Sequence, residues 1–113
     1  MISTPIFASD GNHLDMFKTL EHAETYLEPW VEEEGVEIFD SKGRKLIAKP
    51  SQTMPYDVRL VESTDPASNV PEVLRSKLLN WLKMTGQDCA GFEGWTLQRL
   101  VDHFEAHSIA AIE

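Results

Sequence analysis

Cysteine is nearly missing from this chain: Cys89 is the single one in 113 residues. One thiol cannot close an internal bridge, so a disulfide framework is excluded. Long apolar runs are missing too. No stretch approaches the roughly 20 consecutive apolar residues that a spanning helix needs. The opening MISTPIFASDGNHLD has no basic flank and no extended apolar core, unlike a signal peptide. These absences lead to the expectation of a soluble cytoplasmic chain that does not associate with membranes.

Basic residues are scarce in one region. Residues 1 to 40 carry ten acids and a single base, Lys18, a net charge of −9. Residues 41 to 113 carry nine of each, so the whole imbalance lies in the N-terminal third. Such a field repels nucleic acid and anionic lipid and attracts basic partners. A solubilising surface is the plainer reading of the same charge. Lys42, Arg44 and Lys45 cluster at one turn but sit among acids, so nucleic-acid binding is not expected.

What is present supports one globular domain over residues 1–113. Hydrophobic residues make up 42% and aromatics 9%, as in chains that bury a core. At this length a fold buries roughly two-thirds of its unfolded surface without a metal or disulfide.

Strand-like runs at Thr4–Ser9 and His13–Lys18 flank an Asp10-Gly11-Asn12 turn signal, the pattern of a β-hairpin. Thr19 is placed to cap a helix reaching about Glu28, where Pro29 stops it. Its apolar face carries Leu20, Ala23 and Leu27, while Glu21, Glu24 and Glu28 share another face. Val36–Asp40 and Lys45–Lys49 read as a second hairpin around Ser41–Arg44, and Tyr56–Glu62 as a fifth strand. Pro71 opens a helix to about Thr85, with Leu74, Leu78, Trp81 and Leu82 inward, and Gly86 stops it. A last helix starts at Trp95 or Thr96 and buries Leu97, Leu100, Val101 and Phe104. The order ββα-βββ-αα predicts an α+β domain of two layers, a mainly antiparallel sheet packed with helices. Its expected core includes Leu20, Leu27, Ile38, Leu46, Val58, Leu78, Trp81, Leu100 and Phe104.

Motifs for chemistry are few. His103 and His107 have the i, i+4 spacing of zinc-binding pairs. Glu105, however, is two positions beyond the first histidine, not next to it as in the metalloprotease motif. They read as surface or helix-terminal histidines. The Glu32-Glu33-Glu34 run lacks the alternating ligands and distant glutamate of a calcium loop. Gly86, Gly91 and Gly94 lack the Lys-Ser/Thr ending of a phosphate loop. His13 and Asp15 share one strand face, an arrangement that can orient an imidazole. With Cys89 they are the candidates if the chain is an enzyme, yet a cross-strand polar pair is the far commoner arrangement. His22 reads as solvated. No metal, cofactor or catalytic residue is expected.

The sequence resembles a known family over its first half. The carrying residues are Phe17 to Trp30 (FKTLEHAETYLEPW) and Gly35 to Leu46 (GVEIFDSKGRKL). They pair an amphipathic helix ending in Leu-Glu-Pro with a Phe-Asp-x-x-Gly-Arg-x-Leu hairpin. This resembles bacterial immunity proteins of contact-dependent growth inhibition and related polymorphic-toxin systems. The resemblance implies no enzymatic activity. It implies a stoichiometric inhibitor of a toxin domain delivered by a neighbouring cell, in many cases a nuclease. A nuclease cleft is basic because it holds phosphates, and an acidic inhibitor fits it. The expected contact residues are Glu28, Trp30, Glu32, Glu33, Glu34, Glu37 and Asp40, with Trp30 as an aromatic anchor. A cytosolic adaptor or regulator with another basic partner is the alternative.

A measurable consequence concerns metal. Treatment with a chelator is expected to leave the melting temperature unchanged. A drop that zinc restores would place a structural metal on the His103–His107 pair.

Overall fold

A computed structural model describes residues 2–11, 13–27, 36–50, 58–63, 65–86 and 91–111. Strands β1 (Ile6–Asp10) and β2 (His13–Phe17) form the expected hairpin, with Phe7 opposite Met16 and Asp10 opposite His13. Gly11 turns the chain at φ +60°, a conformation that suits glycine. Helix α1 (Leu20–Leu27) follows, and the Thr19 hydroxyl accepts the His22 N–H at 3.1 Å, as an N-cap does.

Strand β3 (Val36–Phe39) pairs antiparallel with β1, so β1 is central in the order β2-β1-β3. Strands β4 (Leu46–Pro50) and β5 (Val58–Glu62) form a separate antiparallel pair. This differs from the hairpin expected between Val36–Asp40 and Lys45–Lys49. A single bridge, Phe39 to Lys45, joins those segments.

The reason lies in the turn. The Lys45 N–H donates to the Ser68 carbonyl and the Val70 N–H to the Gly43 carbonyl, both within 2.9 Å. The chain leaving β3 is thus pulled toward the start of α2 (Pro71–Met84). Gly43 has φ +84°, and a Cβ there would stand 2.3 Å from the Pro71 Cα. Only glycine permits this approach.

Thr96 caps α3 (Leu97–Ala106), accepting the Arg99 N–H at 3.2 Å. The α+β class and the element order agree with the sequence. Both faces of the three-stranded sheet are covered. On one side Phe7, Leu14, Met16 and Phe39 pack with Leu74, Leu78 and Leu82 of α2 and Leu100, Val101 and Phe104 of α3. On the other side Ile6, Ala8, Phe17 and Ile38 pack with Ala23 of α1, Leu46 of β4 and Leu60 of β5. The separated β4–β5 pair therefore shares the second covering with α1.

Of the expected core, Ile38, Leu46, Leu78, Leu100 and Phe104 are buried. Leu20 and Trp81 are half-buried against it. The side chains of Leu27 and Val58 lie outside the described residues.

Leu78 is fully buried between helix and sheet. Leu78→Ala is expected to lower unfolding free energy by about 2–5 kcal/mol, the cost of a leucine-sized cavity. Urea denaturation measures it. A loss of about 0.5 kcal/mol or less, as at a surface position, would contradict this packing.

Candidate functional site

A cavity built from described polar residues lies at one end of the three-stranded sheet. It has a volume of about 240 Å³ and is lined by Ala8, Ser9, Asp10, His13, Asp15, Tyr26 and Val36. Strand register explains it. Opposed residues in antiparallel strands point to the same face. One cross-strand row is His13, Asp10 and Val36, and the next is Asp15, Ala8 and Ile38. Ala8 is the small residue in the middle, and the space above it is the cavity floor. Tyr26 of α1 forms a wall, its ring held 5.1 Å from the Phe17 ring.

His13 Nε2 lies 2.9 Å from Asp15 Oδ1. Asp15 is largely covered, at 15% side-chain exposure, while His13 is open at 62%. The His13 ring also stands edge-on to Trp81 of α2 at 5.8 Å. Asp10 is exposed, and its side chain makes no hydrogen bond or ion pair among the described residues. Ser9 is buried, and its hydroxyl points to the Gly11 carbonyl at 3.4 Å. The cavity thus brings His13 and Asp15 together as their spacing suggests. It adds Asp10 and Tyr26, which sequence reasoning did not single out. The Asp10–His13 pairing across an Asp-Gly-Asn turn was the available signal.

The expected contact residues divide. Glu28, Trp30, Glu32, Glu33 and Glu34 lie outside the described residues, as does Cys89. The residues flanking that acidic segment are placed: Tyr26 and Val36 both line the cavity. Glu37 binds Lys45 Nζ at 2.9 Å and Lys77 Nζ at 3.4 Å. Its charge is therefore largely answered within the chain.

Asp40 corrects the expectation outright. It is fully buried and cannot present its carboxylate to a partner. One oxygen accepts the Lys42 and Arg44 backbone N–H groups at 3.0 Å each, and the other lies 3.3 Å from Arg44 Nε. The signal was legible: Asp followed three residues later by Gly is a turn signature in which the aspartate binds its own backbone. Glu24 is also engaged, accepting the Leu60 N–H of β5 at 2.8 Å.

The histidines of α3 pack rather than project freely. His103 lies 5.1 Å from the Phe92 ring and 5.4 Å from Trp95, with His107 at 4.6 Å. Arg99 sits over the Trp95 ring at 4.0 Å. Among the described residues no group of three or more His, Cys, Asp or Glu is placed to hold a metal ion. His22, expected to be solvated, is half-buried and stands edge-on to Phe17 at 5.6 Å. No described helix is long and apolar enough to cross a membrane. No protein-family model, curated protein or solved structure matches the chain.

His103 and Glu37 titrate away from their ordinary values. Burial first, and then the neighbouring His107, holds His103 below the usual 6.5. The hydrogen bond from Lys45 holds Glu37 below the usual 4.5, with Lys77 assisting against partial burial. Both are depressed in the folded state, so the unfolded chain takes up protons first on acidification. Stability is therefore expected to fall as pH drops below 6.5, through His103, and again below 4.5, through Glu37. His103→Phe keeps a ring on Phe92 and Trp95 and removes the titration. Melting temperature between pH 7 and pH 5 should be flatter in that variant than in the parent. Equal slopes would remove His103 as the cause.

Proposed function

We propose that this chain is a toxin-neutralising immunity protein. It binds a basic toxin domain, of the nuclease class, through an acidic surface of its N-terminal third and keeps substrate from the active site. One observation carries the reading: residues 1 to 40 hold the whole net charge of −9. Uncompensated acids of that number are not needed to fold a domain of this size. Asp15, Glu24, Glu37 and Asp40 are bonded within the chain. Among the described residues this leaves Asp10, Glu21 and the second oxygen of Asp15 for a partner; Glu28, Glu32, Glu33 and Glu34, which lie outside the described residues, join them on the sequence alone. Glu37 and Asp40 leave the contact set.

The described residues on either side of the segment support the same reading. Residues 28–35 connect Tyr26 and Leu27 to Val36, and Tyr26 and Val36 line the cavity that carries Asp10 and Asp15. Its anchor points and the free carboxylate of Asp10 thus belong to one end of the molecule. The carboxylates of Asp10 and Asp15 at that end attract a basic partner. The cavity is read as a recognition pocket: its serine hydroxyl, Ser9, is buried and turned to Gly11.

The test is co-expression with the product of the gene directly upstream, followed by survival and co-purification. Survival that requires this chain, with recovery of a stoichiometric complex, is expected. Neither protection nor a complex would overturn the inhibitor reading. A stable complex with an unrelated basic protein would support the adaptor instead.

The charge reading has its own measurement. Glu32, Glu33 and Glu34 replaced together by glutamine keep their size and lose three charges. Association with the partner should slow, and its salt dependence should flatten, because steering fades as the Debye length shrinks from about 10 Å at 0.1 M salt to about 3 Å at 1 M. An unchanged rate with an unchanged salt slope would leave the acidic run as a solvated loop.

A further inference from the structure

We propose that the cavity over Ala8 is a receptor for one guanidinium or alkylammonium group, held between the Asp10 and Asp15 carboxylates against the Tyr26 ring. As to the source of that group in a partner protein, the proposal rests on the inhibitor reading above. The site itself rests on geometry.

Asp10 and Asp15 stand on adjacent strands and on the same face. Asp10 is opposite His13, and Asp15 is opposite Ala8, so the two carboxylates are diagonal neighbours. Diagonal positions in an antiparallel pair are about 7–8 Å apart. With backbone positions so spaced on one face, both side chains can reach a planar cation seated between them. Ala8 supplies the depth, since any larger residue there would fill the floor. The volume of about 240 Å³ takes the end of one long side chain and excludes a folded segment.

The chemistry of the walls selects a cation. The described lining contains two carboxylates and no lysine or arginine. Asp15 has one oxygen engaged by His13, which fixes the carboxylate and leaves the second oxygen for a ligand. The Asp10 carboxylate has no partner among the described residues. Tyr26 presents an aromatic ring at the wall, held by Phe17, and a cation over such a face is attracted by its quadrupole. Ala8 and Val36 give an apolar floor and flank for the methylene stem behind the charge. A metal ion is a poor match, because the described residues offer no group of three ligands. An anion would meet two like charges.

The probe is n-propylguanidinium, with the neutral n-propylurea as its isostere. Both are titrated into the full chain while the amide signals of Ala8, Asp10, Asp15 and Tyr26 are followed. Saturable shifts with the cation and none with the urea are expected. Asp10→Asn breaks no internal bond, so it tests the site without disturbing the fold. It should weaken binding about tenfold, the loss expected for one charge-assisted hydrogen bond. Asp10→Asn with Asp15→Asn should abolish it. Equal shifts with the urea, no saturation with the cation, or parental affinity in Asp10→Asn would each overturn the proposal.

A competition arm separates the sources of the cation. If excess n-propylguanidinium weakens the complex with the upstream gene product, the partner's arginine or lysine occupies the cavity. If the complex forms and is indifferent to the bound probe, a free organic cation is the ligand. Probe binding with no complex would support the site and overturn the inhibitor reading. A complex with no probe binding would do the reverse.

Discussion

The fold turns on the buried carboxylate of Asp40. Burying a charge costs several kcal/mol unless its lone pairs are met. Here they are met by two backbone N–H groups and by Arg44. Arg44 in turn reaches Glu62 at the end of β5, at 3.0 Å. One side chain therefore fixes the turn that ends the three-stranded sheet and connects it to the β4–β5 pair. Gly43, inside that turn, lets α2 begin against it. The split between the two sheets, and the separate covering of each face of the first, follow from this arrangement.

A second constraint is that β1 has no solvent face over most of its length. Ile6 and Ala8 belong to one core, and Phe7 to the other. Such a strand needs cover on both sides. The hairpin of β4 and β5 provides part of it, and Glu24 reaches the Leu60 amide to secure that hairpin to α1. Where the apolar rows end, at Asp10, His13 and Val36, the same strands change from core to a polar cavity lining. The cavity stands at that boundary, with Ala8 as the last core residue beneath it.

The acidity of the N-terminal third has two components. Asp40, Glu37 and Glu24 act within the fold, as an organiser of a turn, an ion-pair centre and a strand cap. Asp15 holds His13, while the side chains of Asp10 and Glu21 have no such employment among the described residues. A count of acids treats the two kinds alike. Only their bonding separates them.

The sequence by itself determined the elements. Period-two and period-3.6 patterns located five strands and the helices, and Thr19, Thr96 and Pro71 marked helix starts because capping and φ are local properties. The pairing of His13 with Asp15 was also legible, since alternate strand residues share a face. The tertiary structure decided what local signals do not encode. Pairing of β4 with β5 instead of β3 depends on bonds from Gly43 and Lys45 to Ser68 and Val70, more than 20 residues away. The burial of Asp40 depends on what packs over its turn. The cavity required Tyr26 from α1 to stand over a small residue in β1, a juxtaposition of distant positions that no spacing along the chain records.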